Sequence, residues 1–129
     1  MNRTTVLLIS RRSEVIEDVK LRLEEDDIRT CQVDRWERAQ SAISADPPQL
    51  VVIDSPGPGV VGLAVCREIH SCYKGLLVLL SDDTDERTHT LCMSMGADSS
   101  FSSNLSLPLI TAHIKALLRR FAPPEPPAV

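Results

Sequence analysis

The segment Gln49–Gly62, QLVVIDSPGPGVVG, constrains the fold of this chain more than any other. An apolar run, Leu50 to Ile53, ends at a carboxylate, Asp54, and two prolines and three glycines follow before an apolar helical pattern resumes. A short continuous apolar run is what a strand covered on both faces requires, and such strands belong to parallel sheets. An acid delivered to the C-terminal end of that strand, beside a tight turn, stands where open α/β sheets place their chemistry.

The rest of the chain repeats the same unit. Thr5–Ser10, Ile28–Val33, Leu76–Ser81 and Asp98–Ser102 read as further strands, the second weaker and alternating Arg29, Cys31, Val33 against Thr30 and Gln32. Ser13 is the expected N-cap of a first helix whose stripe is Val15, Val19 and Leu23. A second helix is expected over about Arg35–Ser44, with Trp36, Ala39 and Ile43 on one face, and Pro47-Pro48 stops it. Val61–Tyr73 is a third, with Leu63, Cys66 and Ile69 inward; a fourth ends at Gly96. Leu107–Phe121 is the fifth, with Ile110, Ile114, Leu117 and Phe121 as its stripe. Buried strands alternating with helices predict an α/β fold, a doubly wound five-stranded parallel sheet with helices on both faces. Its functional end would gather Ser10-Arg11-Arg12, Asp54, Ser81-Asp82 and Ser102-Ser103.

A length of 129 residues suits one domain with a proper core, and the net charge of −4 argues against this segment gripping nucleic acid directly. Cys31, Cys66, Cys72 and Cys92 form no CxxC pair and have no histidine at zinc-ligand spacing, so small buried thiols in a reducing compartment are expected. No apolar run approaches the ~20 residues of a membrane span, and no secretory signal opens the chain. The expectation is a cytoplasmic protein with no membrane contact. The last eight residues, APPEPPAV, read as a polyproline linker cut short, which divides the chain into a domain over 1–121 and a linker over 122–129.

These landmarks carry a resemblance. VVID with Asp54, Pro58-Gly59 and Gly62 in the turn, LLVLLS ending at Ser81, MGAD at Met95–Asp98 and IKALLRR at Ile114–Arg120 resemble, in order and spacing, a response-regulator receiver domain of the OmpR/PhoB class. The resemblance covers about residues 4–121. It implies a non-enzymatic two-component signalling module with strand order 2-1-3-4-5. Asp54 falls at the phosphoacceptor position, Ser81 and Ser100 at the two switch positions. It also implies a homodimer, a winged-helix DNA-binding domain after the linker, and a sensor histidine kinase as partner.

The departures matter as much. Where the family places a pair of acids that help hold Mg²⁺, this chain has Arg11-Arg12 after Ser10, and where the family has a lysine it has Ser103. Phosphoryl transfer to aspartate needs a divalent ion on the phosphoryl oxygens, and Mg²⁺ needs hard oxygen ligands. Replacing two carboxylates by two guanidiniums moves the local charge by about four units, each close pair worth roughly 4 kcal/mol at an effective dielectric near 20. Arginine cannot escape by deprotonating. No cofactor is therefore expected. Asp54 is expected to pair with Arg11 or Arg12, together with Asp82 or Asp83; the competing expectation is that one or both arginines point into solvent.

Two other features bear on function. Gly57–Gly62 formally matches GxGxxG, which keeps a nucleotide- or flavin-binding protein as an alternative; but Pro56 and Pro58 delete amide donors that a pyrophosphate would use. A conventional receiver phosphorylated on Asp54 is the other alternative. On the dimer face that the resemblance implies, Arg87 meets Arg120, His89 meets Leu109, and Ser99 meets His113 across a two-fold axis. None is an ion pair, so apolar contacts or another surface would hold the dimer. His70, His89 and His113 share no short spacing and are expected at helix surfaces.

Overall fold

The computed structural model describes residues 4–55, 59–82 and 85–121. Five parallel strands, β1 (Thr5–Ile9), β2 (Arg29–Val33), β3 (Leu50–Ser55), β4 (Leu76–Ser81) and β5 (Ser99–Ser102), form one sheet in the order β2-β1-β3-β4-β5. Between and after them run α1 (Ser13–Glu25), α2 (Trp36–Ala45), α3 (Gly59–Cys72), α4 (Glu86–Ser94) and α5 (Leu107–Phe121). The doubly wound architecture and the strand order are those expected.

Strand alternation sorts the core into two layers. Val6 and Leu8 of β1, Leu50 and Val52 of β3, and Val78 and Leu80 of β4 face α1 and α5, where they meet Ile16, Val19, Leu23, Ile110, Ile114 and Leu118. The intervening residues, Leu7, Ile9, Val51, Ile53, Leu77 and Leu79, face the other way onto Trp36, Ala39, Ile43, Cys66, Ile69 and Cys92. The three central strands are buried on both faces, which is why their sequences carry no polar alternation. Lys115 of α5 reaches Asp26 at the end of α1 at 2.7 Å, tying the two helices of the first layer together.

Several local expectations need correction. Ser13 is the first helical residue of α1, not its cap: Arg12 holds the cap position in extended backbone, φ −99° and ψ 90°, with no side-chain cap bond. Its side chain is committed elsewhere. In α5 the buried hydrophobic positions are Ile110, Ile114 and Leu118, an i, i+4, i+8 row along one face, with Leu117 beside it only partly buried. Cys66 and Cys92 are buried as expected, but Cys31 and Cys72 are exposed: β2 is an edge strand, and Cys72 is the last residue of α3. The expected roles of Pro56, Gly57, Pro58, Asp83, the linker and the side chains of Val15 and Phe121 lie outside the described residues.

Two glycines have clear reasons. Gly62 lets α3 lie close on β3 and β4: a Cβ there would stand 3.1 Å from Ser55 Cβ and from Leu79 Cδ1. That packing accounts for the last glycine of the GxGxxG match without a nucleotide. Gly96 ends the α4 turn at φ +119°, and a Cβ there would come within 2.4 Å of His70 Cγ. Gly96→Ala is expected to lower stability by about 1–3 kcal/mol, read as a fall in the chemical-denaturation midpoint.

Burial pushes the Cys66 thiol up to about 12, with neighbouring Cys92 adding to the rise. A raised value means the folded state holds its proton after the unfolded chain, ordinary at 9.0, has lost it. Stability from this group is complete below about 9 and is lost as pH rises toward about 12. Thermal melts across that window should show Cys66→Ala flattening the alkaline decline relative to the parent chain.

Candidate functional site

Ser10 and Asp54 continue the alternation of β1 and β3. They share the parity of Val6, Leu8, Leu50 and Val52, and the Ile9–Ile53 pairing sets Ser10 beside Asp54 at the C-terminal ends of adjacent strands. Ser10 is 2% exposed and Asp54 6%, with no exposure of the Asp54 side chain itself. A carboxylate so placed needs a positive partner and hydrogen-bond donors.

Arg12 supplies both. Its Nε–H donates to Asp54 Oδ2 at 2.9 Å and its Nη2–H donates to Oδ1, a two-pronged fork that matches the planar carboxylate. The Ser10 hydroxyl donates to Oδ2 at 2.7 Å and accepts the Arg12 backbone N–H at 2.9 Å. The third guanidinium nitrogen, Nη1, reaches Asp82 Oδ1 at 3.3 Å, beyond β4. Ser103, after β5, donates its hydroxyl to the same Asp82 oxygen, and its N–H bonds the Ser81 carbonyl at 2.9 Å. The hydrogen bonds to Asp54 hold the Arg12 guanidinium above its already high ordinary value, against the opposing effect of burial. The cluster thus links the ends of β1, β3, β4 and β5 through one arginine.

Of the two arginines it is therefore Arg12 that pairs with Asp54, and Asp82 that joins it. Arg11 has the other parity: it is exposed and lines a cleft with Ile9, Ile53 and Trp36 on the α2–α3 side. Ser81 is buried at the end of β4. Ser100, half-buried on β5, lies with its Oγ 2.5 Å from His89 Nδ1 of α4, so a histidine occupies its polar contact. No group of three or more His, Cys, Asp or Glu among the described residues is placed to hold a metal ion.

Arg87 and His89 lie on α4, Ser99 on β5, and Leu109, His113 and Arg120 on α5. Arg87 is exposed and contacts Asp85, the N-cap of α4, whose carboxyl its backbone N–H holds below the ordinary range. The His113 ring packs against Phe101, centroids 5.0 Å apart. Sequence reasoning missed the apolar surface there: Leu91, Met93 and Met95, on and just after α4, and Leu109 on α5 are large exposed hydrophobics. The signal was available as apolar residues in excess of the one inward stripe that α4 can bury.

No family model matches the chain. Among curated proteins it is 25% identical to the transcriptional regulatory protein RstA of Escherichia coli over 116 residues, 90% of this chain and 48% of that protein. It is 30% identical to the response regulator GtcR of Aneurinibacillus migulanus over 128 residues, 97% of this chain and 53% of that protein. The chain spans about half the length of these curated relatives. The BeF3-activated receiver domain of Klebsiella pneumoniae RstA superposes with a TM-score of 0.78 at 25% identity, over 90% of this chain and 99% of that one. A two-component response regulator from Clostridium difficile gives 0.83 at 21% identity, covering 94% and 100%. Fold and relatives together define the class: the chain is a response-regulator receiver domain. Its named relatives are regulators, among them RstA of the OmpR/PhoB class.

Removing Arg12 leaves Asp54 buried with only Ser10 against it. Arg12→Ala is expected to destabilise by about 2–3 kcal/mol, below the full buried-pair figure because the arginine is partly exposed. Arg11→Ala should stay within ~0.5 kcal/mol of the parent. Urea denaturation of the two variants side by side checks the assignment; equal losses would contradict it.

Proposed function

We propose that this receiver domain regulates by protein–protein contact, as a homodimer within a DNA-binding response regulator, without Mg²⁺-dependent phosphorylation of Asp54. The observation that supports it is the Arg12 fork: both Asp54 oxygens accept hydrogen bonds from a permanent cation. The donor set does not fit Mg²⁺. That ion takes carboxylate and water oxygens in a tight octahedron, and here the guanidinium stands where charge neutralisation by a metal would be needed. Oδ2 accepts from both Arg12 and Ser10 and Oδ1 accepts from Arg12, which lowers the nucleophilicity of the Asp54 carboxylate. Ser103, the residue in place of the family lysine, is spent on Asp82.

The dimer in this reading uses the α4–β5–α5 side. Leu91, Met95 and Leu109 supply apolar contact where Arg87, His89, Ser99, His113 and Arg120 supply no complementary ion pairs. Exposed ion pairs are worth only ~0–1 kcal/mol each, so their loss leaves such a dimer allowed. Relatives twice as long and named transcriptional regulatory proteins support a winged-helix DNA-binding domain beyond this chain, a cytoplasmic setting, and a sensor histidine kinase as a partner in contact rather than in phosphoryl transfer. No helix among the described residues is long and apolar enough to cross a membrane.

The expected result of a Mg²⁺ titration followed by amide NMR is no saturable shift around Asp54 up to about 10 mM, well above the concentration at which a carboxylate site fills. Acetyl phosphate should leave no acid-labile phosphate on the chain. Arg11→Asp/Arg12→Asp should restore a saturable Mg²⁺ response at the same amides. Stable phosphate on Asp54 of the parent chain would defeat the reading.

A further inference from the structure

Arg11 stands on the other side of the strand ends from the Arg12–Asp54 pair. Between the ends of β1 and β3 and the starts of α2 and α3 lies an open cleft of about 350 Å³. At ~30 Å³ for each water-sized group it has room for about a dozen non-hydrogen atoms, and its size is within the range of ligand sites. Its floor is apolar, Ile9, Ile53 and Trp36, with half-buried Val65 and exposed Val61 along one wall. Its rim is charged, and the charges are unequally spoken for. Asp54 is held by Arg12, and Asp34 by Arg38 at 3.5 Å. Glu37 then stands against two exposed guanidiniums, Arg11 and Arg35, neither of which forms an ion pair with a described residue.

Two further observations lie at the same place. The first turn of α2 has no side-chain cap, because Arg35 occupies the cap position, so backbone N–H groups at a positive helix end are left for another acceptor. Trp36, 7% exposed, carries the indole N–H that alone among buried side-chain polar atoms of the described residues finds no partner. An unpaired buried donor costs about 1–3 kcal/mol, and with no accessible surface of its own this one reports on the packing beneath the cleft.

We propose that this cleft binds a small organic anion, an aryl or alkyl carboxylate of about a dozen non-hydrogen atoms, with its apolar body on Ile9, Ile53, Val61 and Val65 and its carboxylate toward Arg11, Arg35 and the start of α2. The site stands independently of whether Asp54 is ever phosphorylated. It lies one strand residue from the Arg12–Asp54 cluster, on the opposite parity, and Ser10 and Asp54 line its edge. Occupancy would therefore be felt by the pocket that the metal occupies in conventional receivers.

The chain contains one tryptophan, so its amide NMR spectrum has one indole cross-peak to report on the cleft. Phenylpropionate is the probe and its neutral amide the control, titrated into the labelled chain. The expected result is a saturable shift of the Trp36 indole and of the Arg11 and Arg35 amides, with Kd below about 1 mM, and at least tenfold weaker binding of the amide. Arg11→Ala/Arg35→Ala, both surface changes, should weaken the acid at least tenfold while leaving the Asp54 region of the spectrum unchanged. No saturable shift with phenylpropionate, equal binding of the neutral amide, or undiminished binding in the double variant would each overturn the proposal.

Discussion

Asp54 sits at the end of the central strand with none of its side chain in contact with solvent, and burying a charge there is costly unless it is paired and hydrogen-bonded. Counter-charge must come from a group that reaches it without a long detour of the chain. Arg12 does so from the cap position of α1, two residues after Ser10, and the Ser10 hydroxyl both braces the carboxylate and fixes the arginine backbone. The rest of the pocket follows from that pairing. Asp82 balances the remaining guanidinium nitrogen, and Ser103 then orients Asp82.

The same device explains an irregularity in α1. Helix starts favour a short polar side chain that bends back to the first amides. Arg12 gives no such bond, and the helix begins uncapped because that side chain is turned across the sheet toward Asp54. Local helix stability is traded for closure of the pocket, a conflict between levels of structure that is expected at functional sites.

Strand parity divides the labour between adjacent arginines. Residues 6, 8 and 10 of the first strand and 50, 52 and 54 of the third face α1 and α5, so the buried acid and the arginine at the α1 start meet on one side. Arg11 is delivered to the other side, among Ile9, Ile53 and Trp36. One residue of register separates a structural ion pair from an exposed charge over an apolar cleft. Along the same layer, toward β5, α4 leaves Leu91 and Met93 exposed, while His89 turns in to Ser100.

Much of this was legible in the chain itself. The five apolar runs, the intervening helical stripes and the acid at the end of the third run determined the layered parallel sheet, the strand boundaries to within a residue or two, and the chemistry available at one end. Periodicity and charge are local properties, and they survive without coordinates. They also left Arg11 and Arg12, and Asp82 and Asp83, as equal candidates, misplaced the α1 cap at Ser13, and buried Cys31 and Cys72. Those choices depend on which strand lies at an edge, how Ile9 and Ile53 come into register, and where a helix start is carried across a neighbouring strand. Such facts belong to residues some forty positions apart in sequence, as Ser10 and Asp54 are, and only the folded sheet brings them within a hydrogen bond.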